Sequence, residues 1–360
     1  MNKVINIAIY SRDLGVGGIQ KTLMNVLRIL DDNSYKIDLF LFSDNVFFED
    51  ALPTNVTIIY KRQNALASRI LPLFLHRFVY RVETDKIYDY AVDFDGFLNT
   101  QTAMTLNTPA KKRIVWVHTD IMNLYKYYID RPVIFLGYLL MHLSGKRRYK
   151  YFDGIVGVSS PILEDIKKKY KKKEYNVIPN GIDSSYIIEK SKERAPVKFS
   201  ENCYNLITVG RIAHPKNYPG TISAIANILQ DRDDMHFYIV GDGRDKRLVI
   251  KEIKRQSLDK KITLLGATNN PYSYLAQADG FILNSRFEGQ GIVLEEAQVF
   301  GVDLYYPARL SDYVPNLREK RKEFIELNYA KKTNKQLDYL VDYNNRINAS
   351  IKKLFSGHEL

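Results

Sequence analysis

The chain has one cysteine, Cys203, and one tryptophan, Trp116, in 360 residues. A single thiol excludes an internal disulfide framework and suits a reducing cytosol. Long apolar runs are missing too: the longest stretch, PVIFLGYLLMHL from Pro132, falls short of the ~20 residues a membrane-spanning helix needs. The opening MNKVINIAIYS reads as a strand and lacks the charged-then-apolar leader of a signal peptide, so a cytoplasmic protein is expected. No histidine and cysteine cluster has metal-ligand spacing, and no zinc-finger, homeodomain or RNA-recognition motif occurs. Neither a repeat of roughly 20–50 residues nor a low-complexity block appears. What remains, 45% hydrophobic and 26% charged, is the composition of an ordinary globular protein.

Charge is present in excess of one sign, with a formal net value of +12. Ten lysines and arginines lie between Lys146 and Lys173, opposed only by Asp153, Glu164 and Asp165. Such a run is either a solvated helix face or a contact for an anionic membrane surface; nucleic acid is not expected.

Strand-like and helix-like stretches alternate almost throughout. KVINIAIYS, YKIDLFLFS, NVTIIYK, YDYAVDFD, RIVWVHTD and FDGIVGVSS form the first series, and YNLITVG, MHFYIVG, KITLLGA and GFILNS the second. At this length two domains of roughly 170 residues are the natural prior. The pattern predicts an α/β protein of two doubly wound Rossmann-like domains facing across a cleft. The expected boundaries are 1–184, 185–335 and a terminal helix over 336–360 returning to the first domain, with SSYIIEKSKERAPVKFSEN read as a structureless linker.

In open α/β sheets ligands sit at the carboxyl ends of strands, so the loops there are the candidate site. In DLGVGGIQKT, Gly17 and Gly18 let a backbone approach an anion at a helix N-terminus, although a tight strand–helix turn explains them equally well. VGRIAHPKNYPG places Arg211 and Lys216 between a strand and a helix, a fork and a point charge suited to a diphosphate. VGDGR supplies Gly241 and Gly243. FEGQGIVLEEA sets Glu288 on a turn with Gly289, Gln290 and Gly291, then Glu295 and Glu296 on a helix. A paired-carboxylate glycosidase is the rival chemistry, but two glutamates on one loop–helix turn do not face each other across a glycosidic bond. DFD at 93–95 imitates a metal-binding Asp-x-Asp and is read as a turn.

With these motifs in register, the chain resembles the retaining GT-B glycosyltransferases of the family-4 type, over about residues 3–305. The first-loop glycines, PNGID at 179–183, VGR with Gly210 and a lysine five residues past the arginine, VGDG, and EGQGIVLEEA carry the resemblance. WVHTD at 116–120 is similar to the histidine segment of that family's first domain. The resemblance implies a metal-independent enzyme without a cofactor, taking a nucleotide diphosphate sugar as donor and a lipid-linked or glycan acceptor. It implies that His118 bonds the transferred sugar, with Asp120 orienting it or serving the acceptor, and that Glu288 binds sugar hydroxyls while Glu296 grips the ribose. Arg211 and Lys216 are implied to hold the departing diphosphate. The donor site would further include Gly17, Gly18, Gly210, Gly241, Gly289, Gln290 and Gly291, with free amides between Gly289 and Gly291 and Glu295 turned away. After Gly301 the chain departs from the family: VDLYYPARLSDYVPNLREKRKEF has no glycine-rich loop. A non-catalytic partner subunit and a nucleotide-sugar epimerase therefore stand as alternatives.

Overall fold

The computed structural model describes residues 4–15, 17–46, 52–61, 73–80, 82, 84–96, 98–119, 121–145, 147–314, 317, 321–332, 337 and 341–356. The chain divides into two compact units, Met1–Gly181 with Asn345–Leu360, and Ile182–Asn344.

The first unit is built on strands β1 Ile5–Ser11, β2 Tyr35–Leu41, β3 Val56–Tyr60, β4 Tyr88–Asp93, β5 Ala110–Val117, β6 Gly154–Gly157 and β7 Glu174–Val177. They pair in the order β3-β2-β1-β4-β5-β6-β7, and every pairing is parallel. A parallel sheet is covered on both faces, which is why its central strands read as continuous apolar runs. Its helices are α1 Gly18–Ile29, α2 Leu73–Val79, α3 Asn99–Asn107, α4 Pro132–Gly145 and α5 Ser160–Lys169. α1 buries Leu23, Met24, Val26 and Leu27, a stripe of helical period. α3 instead buries Asn99, Thr100, Gln101, Thr102 and Thr105, polar groups that need partners inside the fold. Strand order reverses between β1 and β4, so the loops after these two strands flank the switch point where ligands are received.

The second unit contains α6 Ser184–Ser191, β8 Tyr204–Val209, α7 Tyr218–Asp231, β9 Met235–Val240, α8 Lys246–Arg255 and β10 Ile262–Gly266. α9 Tyr272–Leu275, β11 Gly280–Ile282, α10 Ile292–Gln298 and β12 Asp303–Tyr305 follow. The strands pair in the order β10-β9-β8-β11-β12, all parallel. Here the switch point lies between β8 and β11, the strands preceding the Arg211–Lys216 and Glu288 loops.

Two expectations about chain organisation need revision. The stretch read as a structureless linker contains α6, because Asp183 caps it by accepting from the Tyr186 amide at 2.9 Å and Ile187 and Ile188 are buried. The chain passes between units ahead of that helix, at Gly181 and Ile182, and again at Asn344 and Asn345. The Asn344 side chain holds the Ile182 backbone, accepting from its N–H at 3.1 Å and donating to its carbonyl. The final helix, α11 Val341–Leu354, buries Ile347, Ile351, Leu354 and the adjoining Phe355. Phe355 meets Tyr90 of β4 edge-on at 5.3 Å.

Candidate functional site

In the second unit the site is assembled from the loops after β8, β9 and β11. Beyond β8 the backbone turns at Gly210, whose φ of +155 lies where side chains are strained. The Lys216 stem folds back over it, with Cε 3.6 Å from where a Gly210 Cβ would stand. Tyr218 donates to the Gly210 carbonyl at 2.9 Å; burial, with the nearby Glu288 charge, pushes its hydroxyl well above the ordinary tyrosine range. A Cβ on Gly241 would stand 2.0 Å from the Gly210 carbonyl oxygen, and one on Gly243 2.2 Å from that of Ile212. Both glycines thus have a packing reason, since the β9 loop lies directly against the β8 loop. Amides bridge the two loops, Gly210 to Val240 at 3.0 Å and Ile212 to Asp242 at 2.8 Å.

The β11 loop is tied to the same place. The Arg286 amide donates to the Pro215 carbonyl at 2.7 Å, and Lys216 Nζ meets Glu288 Oε1 at 2.7 Å, the side chains 24% and 11% exposed. These two residues, 72 apart in sequence, form one ion pair at the switch point, and the ammonium keeps further donors for an anion. Arg211 is exposed and makes no ion pair among the described residues, so the structure brings Lys216 to Glu288 but not Arg211. Further along, on α10, Glu296 Oε1 accepts from the Tyr272 hydroxyl at 2.9 Å. Burial and the Glu296 charge raise that phenol far above its usual range. Arg309 donates to the Ser285 carbonyl at 2.9 Å and to Asn284 Oδ1 at 2.9 Å, bracing the start of the loop. Tyr218, Tyr272 and Arg309 were not singled out from sequence; each tyrosine stands beside a proline at a helix start, with no local signal for the carbonyl or carboxylate its hydroxyl bonds.

Two expectations in this loop fail. The Gly291 amide is not free, because it donates to the Tyr313 carbonyl at 3.0 Å. Gln290, expected at the donor, points inward: its Nε2 donates to Glu295 Oε2 at 2.9 Å and lies 3.2 Å from the Tyr343 hydroxyl. Tyr343 also donates to Glu295 Oε2, at 3.2 Å. Glu295 is fully buried, and a buried carboxylate must collect donors, so Gln290 is drawn to it.

In the first unit, Gly17 precedes α1 in an extended conformation with no side-chain cap. A Cβ on Gly18 would meet nothing within 4 Å, so packing does not require that glycine. The loop is held by Asp13, whose Oδ1 accepts from Gln20 Nε2 at 2.7 Å and from the Gly15 amide at 3.2 Å. His118, just past β5, is 6% exposed. Burial pulls its pKa down to about 3, opposed by a hydrogen bond to the Phe94 backbone. Its Nε2 has no partner among the described residues, so the ring is neutral, with the proton on Nδ1 and a lone pair on Nε2. Phe94 packs on the ring at 4.9 Å. Asp120 lies outside the described residues.

The first aspartate of DFD is bonded within the fold. Asp93 is fully buried; its Oδ1 accepts from Gln101 at 2.7 Å and from the Gly96 amide at 3.0 Å, and its Oδ2 from Thr102 at 2.6 Å. Among the described residues no group of three or more histidine, cysteine or acidic side chains could hold a metal ion. The basic run also needs correction, because Arg148 is wholly buried. Arg147, Lys150, Lys167, Lys168, Lys169, Lys171 and Lys172 are exposed, and Lys146 lies outside the described residues. Beside them, α4 leaves an apolar stripe uncovered: Val133, Leu136, Leu140 and Leu143 are 86%, 55%, 39% and 50% exposed. A 3-10 segment over Ile121–Tyr128 packs on the other face of α4 through Tyr125 and Phe135, 6.0 Å apart. Asn123 of that segment reaches Asp165 of α5 at 2.9 Å.

Comparison with known proteins agrees with this geometry. Residues 189–303 match the family of glycosyl transferases group 1, a span containing all three loops of the second unit. The chain is 26% identical over 310 residues to N-acetylgalactosamine-N,N'-diacetylbacillosaminyl-diphospho-undecaprenol 4-alpha-N-acetylgalactosaminyltransferase of Campylobacter jejuni, covering 81% of this chain and 77% of that protein. It is 26% identical over 245 residues to alpha-monoglucosyldiacylglycerol synthase of Acholeplasma laidlawii, covering 63% and 60%. Anabaena Alr3699/HepE, solved in complex with UDP and glucose, superposes with a TM-score of 0.60 at 14% identity over 97% of this chain and 90% of that one. The fold is GT-B, and the resemblance to glycosyltransferases read from the motifs holds along most of the chain.

Proposed function

We propose that this glycosyltransferase moves a sugar from a nucleotide diphosphate sugar to a lipid-linked or glycan acceptor, with retention of configuration and without a metal, in bacterial surface polysaccharide or glycolipid synthesis. The observation that carries the reading is the Lys216–Glu288 ion pair at the switch point of the second sheet, with Glu296 following on α10. Carboxylates suit sugar and ribose hydroxyls, because charge-assisted O–H···O⁻ bonds are short and strong. Glu288 therefore takes the donor sugar and Glu296 the ribose. Lys216, with Arg211 at the rim, stabilises the negative charge that develops as the bond between anomeric carbon and diphosphate oxygen breaks. The acceptor oxygen bonds to that carbon on the same face, and its proton passes to the departing phosphate. His118 offers a fixed lone pair to a hydroxyl of the sugar.

A lipid-linked acceptor follows from the names of both relatives, one acting on a diphospho-undecaprenol and the other an alpha-monoglucosyldiacylglycerol synthase. Among the described residues no helix is long and apolar enough to cross a membrane. In this reading the protein works from the cytoplasm, docked on the anionic inner face by the exposed cations between Arg147 and Lys172 and the stripe on α4. Each cation near such a surface is worth roughly 1 kcal/mol, and apolar contact adds to it.

The donor reading is tested by thermal unfolding against a panel of nucleotide sugars. One or more should stabilise the wild type and fail to stabilise Glu296→Gln. A panel that leaves the wild type unmoved counts against a donor site here.

A further inference from the structure

Resting on the reading of His118 given above, we propose that Arg148 is a positioning residue for His118, acting together with Asp93 through the Gly96 peptide. Arg148 comes from the basic run but shares nothing with its neighbours. It is 0% exposed, as are Asp93, Asn99, Gln101 and Thr102 around it. Its guanidinium donates to the Gly96 carbonyl and, through Nη2, to Asn99 Oδ1 at 2.7 Å. Asp93 takes the other end of the same residue, accepting the Gly96 amide at 3.0 Å. Gly96 turns with φ +60 between these clamps.

The loop so held is Phe94–Gly96. Its first residue is pinned from the sheet side, where the Phe94 amide donates to the Tyr10 carbonyl at 2.9 Å. Phe94 then supplies the carbonyl that takes the His118 ring proton and the ring that packs on His118 at 4.9 Å. A histidine's tautomer is set by the bond its second nitrogen makes. The chain of control therefore runs from Arg148 and Asp93 to the Gly96 peptide, to the Phe94 carbonyl, and to the lone pair on His118 Nε2. A buried arginine that touched only a helix end would be scaffolding. This one is spent on the loop whose carbonyl orients the candidate catalytic ring.

Fork geometry matters here. Lysine would keep the positive charge but cannot span the Gly96 carbonyl and Asn99 together. The test is Arg148→Lys and, separately, Asn99→Ala, read by the ¹⁵N spectrum of the His118 ring and by donor kinetics. The expected result is a mixture of His118 tautomers in both variants. With it, kcat should fall roughly 10-fold while donor KM stays within about twofold, by analogy with loss of the outer partners of metal-ligating histidines. If Arg148→Lys does not fold, Asn99→Ala decides alone. A single Nδ1-protonated tautomer in every variant that folds would overturn the inference. A tautomer mixture with kcat unchanged would uphold the positioning and instead remove His118 from the proposed chemistry.

Discussion

At the switch point of the second sheet, Lys216 and Glu288 are partly exposed and hold each other across two loops. Beside the switch point of the first sheet, Asp93 and Arg148 are shut away from solvent and His118 almost so. In one unit charge is left where a ligand can reach it. In the other, Asp93 and Arg148 are enclosed and bonded to the Gly96 peptide and to the side chains of Gln101, Thr102 and Asn99. Charged groups near water cost little to keep available, whereas enclosed ones must be fully bonded to be tolerated. On the function proposed above, the second unit would bind the anionic donor and the first would fix the direction of one uncharged acceptor atom.

Mutation should separate the two units. Lys216→Ala is expected to lower turnover by at least ~10²-fold with the fold intact, by analogy with loss of a charge-stabilising donor at a reacting group. Arg211→Ala should cost less, because that side chain is exposed and is not brought to Glu288. Equal losses would mean that the ion pair is not the centre of the donor site. Glu288→Gln should lose turnover while nucleoside diphosphate affinity is retained, whereas Glu296→Gln should weaken that affinity, as calorimetry would show. Tyr272→Phe, which removes only a neutral donor to Glu296, should weaken it by about 1 kcal/mol. Identical effects of the two glutamate variants on binding would mean that their roles are wrongly divided.

Vesicle binding sharpens the contrast from outside the site. Flotation is expected with anionic vesicles and not with neutral ones, reversed by about 0.5 M salt. Val133→Ser with Leu136→Ser should weaken it several-fold, since each removes apolar surface from the stripe. Unchanged flotation in that double variant would leave α4 without a role at the surface. Added EDTA should not alter turnover; a metal requirement would reopen the question of the Asp93–Asp95 stretch.

The smallest effect concerns pH. His118 has its pKa drawn down to about 3 by burial, while the unfolded chain protonates near the ordinary value of about 6.5. Its contribution to stability is complete above that value and declines as pH falls toward 3. The gap in unfolding free energy between wild type and His118→Phe should accordingly shrink between pH 7 and 4. Asp93, raised to about 7 by burial and then by Asp95, runs the other way. Its contribution is full below the ordinary carboxylate range and is lost as pH rises through 7. A His118 gap that widens on acidification would contradict the neutral, enclosed ring.

The alternating pattern made ten of the twelve described strands legible, missing only the short edge strands β7 and β12. The second unit's loops were legible because they are contiguous stretches in which glycines and charges stand a few residues apart. Gly241 and Gly243 were visible as a motif, though their packing against Gly210 and Ile212 needs three dimensions. The Gln290–Glu295–Tyr343 cluster escaped because its third member lies 48 residues beyond Glu295. Arg148 was misread because a charge inside a basic run carries no local mark of burial; its partners Gly96 and Asn99 are 52 and 49 residues away. α6 was missed because its apolar content is the short pair Ile187 and Ile188 among polar residues.

Incubation of wild type and Lys216→Ala with each of several nucleotide sugars, with and without a lipid-linked acceptor fraction, tests the central claim most directly. The account predicts that the wild type joins the sugar to the acceptor with the donor's anomeric configuration, only when acceptor is present, and that Lys216→Ala loses this by ~10²-fold or more. An altered nucleotide sugar formed without acceptor, or no transfer from any donor tried, would contradict it.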